Sequence, residues 1–157
     1  MRHLQQHQTV VSERGRDLKR RVLFLCTGNS ARSQMAEGLL RHMAGDVFDV
    51  FSAGTRPAGL NPRAVAAMKD IGVDISRQRS KHVEGLLNGR FDYVITVCDR
   101  AKESCPVFPS PAALLHWSFD DPAACEGTEV EREKVFHRVR DEIHGQIRAF
   151  LNGQAHG

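Results

Sequence analysis

Apolar residues along the chain occur either in short continuous runs or at the spacing of a helix. The runs predict four strands, over 21–26, 48–55, 91–99 and 114–122. The spaced positions predict helices over 30–44, 61–72 and 129–153, with a short helix at 82–89. The last helix has one apolar stripe, formed by Val135, Val139, Ile143, Ile147 and Leu151.

The predicted strands and helices alternate, which is typical of parallel sheets. We therefore predict an α/β fold: a single domain with a four-stranded parallel sheet flanked by helices. Ser30 or Ser33 is expected to cap the first helix, and Pro62 and Gly72 mark the two ends of the second.

The expected domain spans residues 21–157. Residues 1–20 are polar and without period, so we expect a disordered N-terminal tail there. In open parallel sheets, ligands bind at the carboxyl ends of the strands. Two cysteines lie at such ends: Cys26 closes the first predicted strand, and Cys98 falls near the end of the third.

Composition narrows the class of protein. The 157 residues are 41% hydrophobic and 26% charged, as in an ordinary globular domain, and the net charge of +3 is far too small for a typical nucleic-acid binder. There is no apolar run long enough to span a membrane and no secretory signal. Four cysteines are too few for a disulfide scaffold, so we expect reduced thiols and a cytoplasmic location.

The segment CTGNSARS joins the first strand to the first helix. Gly28 and Asn29 tolerate the positive φ angles of a tight loop, whose N–H groups can surround an anion. Arg32 adds a bidentate donor, and Ser33 can donate to the Cys26 sulfur. This setting favours a Cys26 thiolate that acts as a nucleophile. The predicted oxyanion-binding residues are Thr27, Gly28, Asn29, Ser30, Ala31 and Arg32.

The segment CDRAKESC, residues 98–105, carries two more cysteines. They could be unrelated thiols, a metal clip or a redox pair. A zinc site is disfavoured because neither a C-x2-C spacing nor a nearby histidine is present. In a regular helix, Cys98 and Cys105 would lie roughly 10 Å apart, whereas a disulfide needs their Cα atoms within about 7 Å. If the two are redox partners, the segment is partly helical when reduced and looped out when oxidised.

The stretch VLFLCTGNSARSQMAEG resembles the phosphate loop of the low-molecular-weight protein tyrosine phosphatase superfamily, and more closely that of its arsenate reductases. The similarity continues through FSAGT, FDYVITVCD and HWSFDDPA and covers roughly residues 21–152. It implies a four-stranded parallel sheet. It also implies that Asp121, before Pro122, is the general acid, and that the neighbouring Asp120 is structural; taken by itself, DDP reads equally well as a turn.

The resemblance further implies a mechanism. Cys26 attacks arsenate, and Asp121 protonates the leaving oxygen. Cys98 then forms a disulfide with Cys26, and Cys105 attacks Cys98, which leaves a Cys98–Cys105 disulfide and a free Cys26. The implied partners are arsenate, with phosphate and sulfate as competing oxyanions, and thioredoxin as reductant, although glutaredoxin or a small thiol stays possible. No metal, cofactor, nucleic acid or membrane is expected, and the chain is expected to be a monomer.

Two other functions stay open at this point. One is a phosphatase in which Cys98 and Cys105 are regulatory, since the loop chemistry alone would serve phosphoester hydrolysis. The other is a non-catalytic redox sensor that binds oxyanions. The single Tyr and single Trp, together with DPAACEG after the strand, give little sign of a phosphotyrosine-binding rim.

The chain departs from its relatives at two positions. Ala31 stands where many have a second loop cysteine that the cascade does not require. Lys81 stands where some relatives have an Asp that helps to hold potassium behind the loop. Its ammonium could replace that cation and pair with Glu37, which predicts activity independent of potassium; a solvated surface lysine is the alternative. Cys125 matches no family cysteine and is interpreted as a bystander.

Overall fold

The fold is that of a computed structural model, which describes residues 19–99, 101 and 112–156. Its centre is a sheet of four parallel strands in the order β2-β1-β3-β4. The strands are β1 (Arg20–Cys26), β2 (Phe48–Gly54), β3 (Tyr93–Thr96) and β4 (Ala113–His116). The predicted α/β class and the four-stranded parallel sheet are confirmed.

Three helices lie wholly within the described residues: α1 (Arg32–Ala44), α2 (Pro62–Lys69) and α3 (Glu129–His156). Asp99 and Ala101 are also helical. Two short 3-10 helices, Val83–Leu86 and Pro122–Ala124, lie in the connections. The middle of β1 is fully buried because β1 has a strand on each side and helices packed near it. The predicted stripe of α3 faces this core: Val139, Ile143 and Ile147 are fully buried, and Val135 and Leu151 are partly buried.

Several predicted boundaries are corrected. Helix α1 begins at Arg32, two residues later than predicted, and neither Ser30 nor Ser33 caps it; Ala31 holds the cap position without a side-chain hydrogen bond. Strands β3 and β4 are also shorter than predicted. In each case the residues removed from the regular element, at 30–31, 97–99 and 117–121, lie at or beside one edge of the sheet, where the backbone departs from regular pairing.

Helix α2 starts as predicted but ends at Lys69, three residues before Gly72, because residues 70–72 form a turn. Pro62 is its first residue, the Asn61 side chain caps it by accepting from the Arg63 N–H at 2.8 Å, and Gly72 takes a φ of +80° just beyond its end. The predicted N-terminal tail falls almost wholly on residues outside the described part of the chain. Within the described residues, no helix is both long enough and apolar enough to cross a membrane.

Candidate active site

In the loop between β1 and α1, the carbonyl oxygens accept hydrogen bonds from outside the loop, and several N–H groups are left without acceptors in the described part of the chain. Five successive carbonyls, from residue 26 to residue 30, accept hydrogen bonds from groups outside the loop. The donors are the N–H groups of Thr55, Arg56, Ala58 and Asn61 and the side-chain amide of Gln34. Within the described residues, the N–H groups of 28–31 donate to no protein acceptor. Those amides are therefore available to an anion, as the sequence predicted.

Asn29 is the residue that shapes this loop. Its φ is +46°, whereas Gly28, which was expected to share the left-handed conformation, does not. The Asn29 side chain is fully buried and donates to Ser33 Oγ and Ser52 Oγ, both at 2.9 Å, while its Oδ1 accepts from the Lys81 N–H at 2.8 Å. These bonds hold a conformation that costs a non-glycine residue about 1–2 kcal/mol.

Ser33 therefore has a different partner from the predicted one. Its hydroxyl is fully buried and accepts from Asn29, and among the described residues no hydrogen bond joins it to Cys26. Ser33 supports the loop from behind rather than the sulfur directly.

A buried carboxylate lies behind the loop. Glu37 accepts from Ser52 Oγ at 2.5 Å and pairs with Arg41 at 2.7 Å. The Lys81 ammonium lies 3.7 Å from Glu37 Oε1, so the predicted pairing of Lys81 with Glu37 is present. Burial lowers the pKa of Lys81, and the Glu37 charge opposes that shift. Lys81 is thus held at the loop rather than being a fully solvated surface charge.

Cys26 and Cys98 lie close together beside Arg32, and of the two Cys98 lines the pocket. Both are buried and free, and each thiol shifts the pKa of the other. Cys98 Sγ also lies 3.3 Å from Thr27 Oγ1 and accepts from the Ala101 N–H at 3.4 Å. The hydrogen bond from Cys26, supported by those from Thr27 and Ala101, lowers the pKa of Cys98 to about 5.

The proximity of Cys98 works against the thiolate that is expected at Cys26. The hydrogen bond to Cys98 and burial raise the pKa of Cys26, and the Arg32 charge opposes that shift. The two thiols therefore compete for one negative charge, which Arg32 favours on Cys26 and which Thr27 and Ala101 favour on Cys98.

Arg32 and Asp121 complete the pocket. One guanidinium nitrogen of Arg32 donates to the Phe119 carbonyl at 3.1 Å, and the other lies 3.8 Å from Asp121 Oδ2. The second oxygen of Asp121 accepts from the Ala123 N–H at 3.0 Å, which fixes the carboxyl at the start of a 3-10 helix. Asp120 instead pairs with Arg138 at 3.1 Å, in line with a structural role.

These groups surround a polar pocket of about 460 Å³. Its lining residues are Thr27, Gly28, Arg32, Cys98, Asp99 and Asp121. The combination of unpaired amides, one arginine and two adjacent sulfurs suits a tetrahedral oxyanion that reacts with thiols.

Two further cysteines come from the sequence analysis. Cys105 lies outside the described residues. Cys125 is partly exposed, free and absent from the pocket lining. Among the described residues, no cluster of three or more His, Cys, Asp or Glu side chains could hold a metal ion.

Sequence reasoning missed three contributors. Thr27 was expected to bind anions through its backbone, but its hydroxyl contacts Cys98. Asp99 lines the pocket and is bonded to His116, whose ring nitrogen lies 3.0 Å from its carboxylate. Gly54, at the end of β2, is required by close approach, since a Cβ there would lie 2.5 Å from the Thr27 carbonyl oxygen. The pairing of β3 with β4, which places Thr96 opposite His116, is the signal that could have revealed the Asp99 contact.

Known proteins resemble this chain in sequence and fold. A family model described as low molecular weight phosphotyrosine protein phosphatase matches residues 21–155. An arsenate reductase from Halalkalibacterium halodurans is 52% identical over 132 residues, which cover 84% of this chain and 95% of that protein.

Solved structures agree. An arsenate reductase in its oxidized state has a TM-score of 0.73 and 28% identity, with 85% of this chain and 98% of that chain covered. A thioredoxin-dependent arsenate reductase from Corynebacterium glutamicum has a TM-score of 0.63 and 29% identity, with 85% and 63% covered. The chain belongs to the low molecular weight phosphotyrosine protein phosphatase family and groups with its arsenate reductases.

Proposed function

We propose that this protein reduces arsenate to arsenite through the thiols of Cys26, Cys98 and Cys105. The observation that carries the proposal is the proximity of the buried Cys26 and Cys98 thiols, each of which shifts the pKa of the other, beside Arg32 and the unpaired loop amides. A hydrolase needs one nucleophilic sulfur in such a pocket, whereas a two-electron reduction needs two sulfurs that can bond to each other.

The first step forms a bond between Cys26 and arsenic. Arsenate binds to the loop amides and to Arg32, and the Cys26 thiolate attacks its arsenic atom. An As–OH oxygen receives a proton from Asp121 and leaves as water, because unprotonated oxide is a poor leaving group. The product is a Cys26 thioester of arsenic in which arsenic is still pentavalent.

The second step transfers the electrons. The Cys98 thiolate attacks the Cys26 sulfur, the sulfur–arsenic bond breaks, and its electron pair stays on arsenic. Arsenic is reduced by two electrons to arsenite, and the two thiols are oxidised to a Cys26–Cys98 disulfide. Over both steps, arsenate and two thiols give arsenite, one disulfide and water, so atoms and electrons balance.

The third step regenerates Cys26. Cys105 attacks Cys98, which moves the disulfide to Cys98–Cys105 and leaves Cys26 as a thiol. An external dithiol then reduces that disulfide, and the likeness to a thioredoxin-dependent arsenate reductase favours thioredoxin.

Phosphate and sulfate compete with arsenate for the loop because they share its shape and charge. The cellular role is arsenic detoxification in the cytoplasm, by a monomeric enzyme that needs no metal or cofactor.

A coupled assay tests this proposal. Purified protein, thioredoxin, thioredoxin reductase and NADPH are mixed, and arsenate-dependent NADPH oxidation is followed. The wild-type protein is expected to turn over, and Cys98→Ser is expected to lose turnover completely. Cys125→Ser is the matched control because its sulfur lies outside the pocket. Absence of arsenate-dependent oxidation by the wild-type protein would refute the proposal.

A phosphatase is the second candidate, since Cys26, Arg32 and Asp121 are the groups that phosphoester hydrolysis uses. The same variants separate the two functions. If hydrolysis of an aryl phosphate is the principal activity, it persists in Cys98→Ser while arsenate reduction is weak or absent in the wild-type protein. A sensor that only binds oxyanions would show no turnover with the recycling system.

A further inference from the structure

A chain of side-chain contacts joins the end of β3 to the residue that follows Cys98. Thr96 Oγ1 lies 2.7 Å from His116 Nδ1, and His116 Nε2 lies 3.0 Å from Asp99 Oδ1. Thr96 is buried, His116 is mostly buried, and the Asp99 side chain is 78% exposed. The contacts therefore run from the interior of the sheet to the pocket wall.

The direction of these hydrogen bonds follows from the chemistry of the groups. A carboxylate accepts but does not donate, so His116 donates its Nε2–H to Asp99. Nδ1 contacts the Thr96 hydroxyl, whose one hydrogen also lies within reach of the Leu115 carbonyl at 3.4 Å. Thr96 therefore donates to Nδ1 of a neutral ring, or it accepts from an imidazolium and donates to Leu115. The ring is consequently held at both nitrogens, and it holds the Asp99 carboxylate in turn.

The described residues around Cys98 are buried, since Val97, Cys98 and Ala101 are at most 5% exposed. Strand β3 ends at Thr96, and Val97 makes the last backbone bond to β1, from its N–H to the Leu25 carbonyl at 2.9 Å. Asp99 follows Cys98 directly and lines the pocket. The hydrogen bond between Asp99 and His116, called the tie below, thus connects the segment that carries the second sulfur to the end of β4.

We propose that Asp99 and His116 are positioning residues for the disulfide step, a role that rests on the proposed arsenate reduction. Attack of Cys98 on the Cys26 sulfur requires the entering sulfur to lie in line with the sulfur–arsenic bond. Small misplacements of a reacting atom are expensive in rate. The tie to His116 restrains the Cys98 backbone in the geometry that keeps its sulfur against Cys26, without touching the oxyanion loop.

The expected signature is kinetic. Exposed ion pairs generally contribute little to stability, and His116 is absent from the pocket lining. Loss of the tie should therefore slow disulfide formation while oxyanion binding and folding are retained. A surface ion pair with no positioning role would change none of these rates.

The test isolates the step in a Cys105→Ser background, where the cascade stops at the Cys26–Cys98 disulfide. Arsenate is added, the reaction is quenched by alkylation at a series of times, and the disulfide is quantified by mass spectrometry. His116→Ala is expected to slow its formation about tenfold at saturating arsenate, with the half-saturating arsenate concentration unchanged. His116→Gln, which can still donate to Asp99, is expected to recover most of the rate.

Asp99 variants check that the two residues act through one contact. Asp99→Ala is expected to slow the step to a similar extent, and Asp99→Asn, which keeps an acceptor oxygen, less. The double variant with His116→Ala should be no slower than either single variant. Fully multiplicative losses would show that the residues act separately and would overturn the proposal.

A matched control is present elsewhere in the chain. His137 Nε2 lies 3.0 Å from Asp70 Oδ2 in an exposed pair on α3 and beyond the end of α2, away from the pocket. Asp70→Ala removes the same kind of contact and is expected to leave the rate unchanged. Binding of inorganic phosphate, measured by calorimetry, should be equal in the reference protein and in His116→Ala.

The outcomes separate the two proposals. If the Cys105→Ser reference forms no disulfide with arsenate, the proposed function itself fails. If the reference forms it and His116→Ala and Asp99→Ala react equally fast, the positioning role is refuted. The same holds if Asp70→Ala slows the step as much as His116→Ala, or if His116→Ala loses phosphate binding in proportion to its rate.

Discussion

The pocket has two walls that are held in different ways. The loop wall, residues 27–31, has its carbonyls bonded outside the pocket and its central residue, Asn29, fully buried. The second wall is formed by Cys98, Asp99 and Asp121, of which the two carboxylates are 78% and 47% exposed. The loop wall is built into the core, whereas the second wall combines the buried Cys98 with two exposed carboxylates that are held by individual side-chain contacts.

This difference matches the work required of each wall. An oxyanion site acts best when its donors are already oriented, since no reorganisation is then needed during the reaction. In the proposed cascade the Cys98 sulfur bonds first to Cys26 and afterwards to Cys105, so it has to change partners. Contacts such as Thr27 with Cys98, and Asp99 with His116, hold it in place and can be broken one at a time.

The largest effect is expected from Cys26→Ser. This change removes the nucleophile of the first step, and loss of an equivalent nucleophile has lowered other enzymes by about 10⁶-fold. Arsenate reduction in the coupled assay should become undetectable, while phosphate still binds to the loop. Cys125→Ser should match the wild-type rate. Reduction that survives in Cys26→Ser would show that the loop wall only binds and that the chemistry lies elsewhere.

On the second wall, Asp121 and Asp120 form a natural matched pair. Asp121→Asn removes the proton donor at the pocket and should lower the rate about 10²–10⁴-fold, the usual contribution of a general acid. Asp120→Asn alters a carboxylate that is paired with Arg138 and should stay close to wild type. Steady-state rates of the two variants decide the assignment. Equal losses would mean that both act through the shape of the turn.

The rigidity of the loop wall can be tested through Asn29. Asn29→Ala loses three buried hydrogen bonds and retains the strain of a positive φ, which should lower the free energy of unfolding by about 3 kcal/mol. Asn29→Gly loses the same bonds but tolerates that φ, and it should be more stable than the Ala variant by about 1 kcal/mol. Chemical denaturation measures both. Two variants of equal stability would indicate that the loop relaxes when its side chain is removed.

The loop wall could be predicted from sequence because its determinants are adjacent in the chain. CTGNSARS joins a strand to a helix, and that local pattern suffices to place Cys26, Asn29 and Arg32 around one anion. The pattern did not reveal the role of each residue. Of Gly28 and Asn29, only Asn29 has a left-handed conformation, and Ser33 is hydrogen-bonded to Asn29 rather than to the Cys26 sulfur.

The second wall was less predictable because it depends on contacts between distant segments. His116 is distant from Cys98 along the chain, yet the register of β3 with β4 brings it to Asp99. The competition of the two thiols for one charge was hidden for a similar reason. The loop and Arg32 favour a Cys26 thiolate, but the proximity of Cys98, which opposes it, is a tertiary fact.

A smaller effect concerns the pH at which the second wall becomes reactive. The pKa of Cys98 is lowered to about 5, so the thiolate is the form present above that pH and is lost as pH falls through it. Arsenate reduction should therefore persist well below the pKa of an ordinary thiol and fall off near pH 5. Thiolate absorbance in the ultraviolet, titrated in a Cys125→Ser background, reports the same transition. Cys26→Ala should move it upward because the main hydrogen bond to Cys98 is lost.

The smallest effect is expected behind the loop wall, where potassium should change nothing. The Lys81 ammonium lies 3.7 Å from Glu37, and the Lys81 backbone N–H donates to Asn29 Oδ1. A positive charge is therefore already present behind the loop, where a bound cation would otherwise lie. Exchange of sodium for potassium at constant ionic strength should leave the rate unchanged. Lys81→Asp removes that charge and supplies a carboxylate beside Glu37, and this variant should become faster and more stable in potassium than in sodium. A marked rate gain by the wild-type protein in potassium would show that Lys81 does not fill the site, and the loop wall would then be less complete than its buried hydrogen bonds indicate.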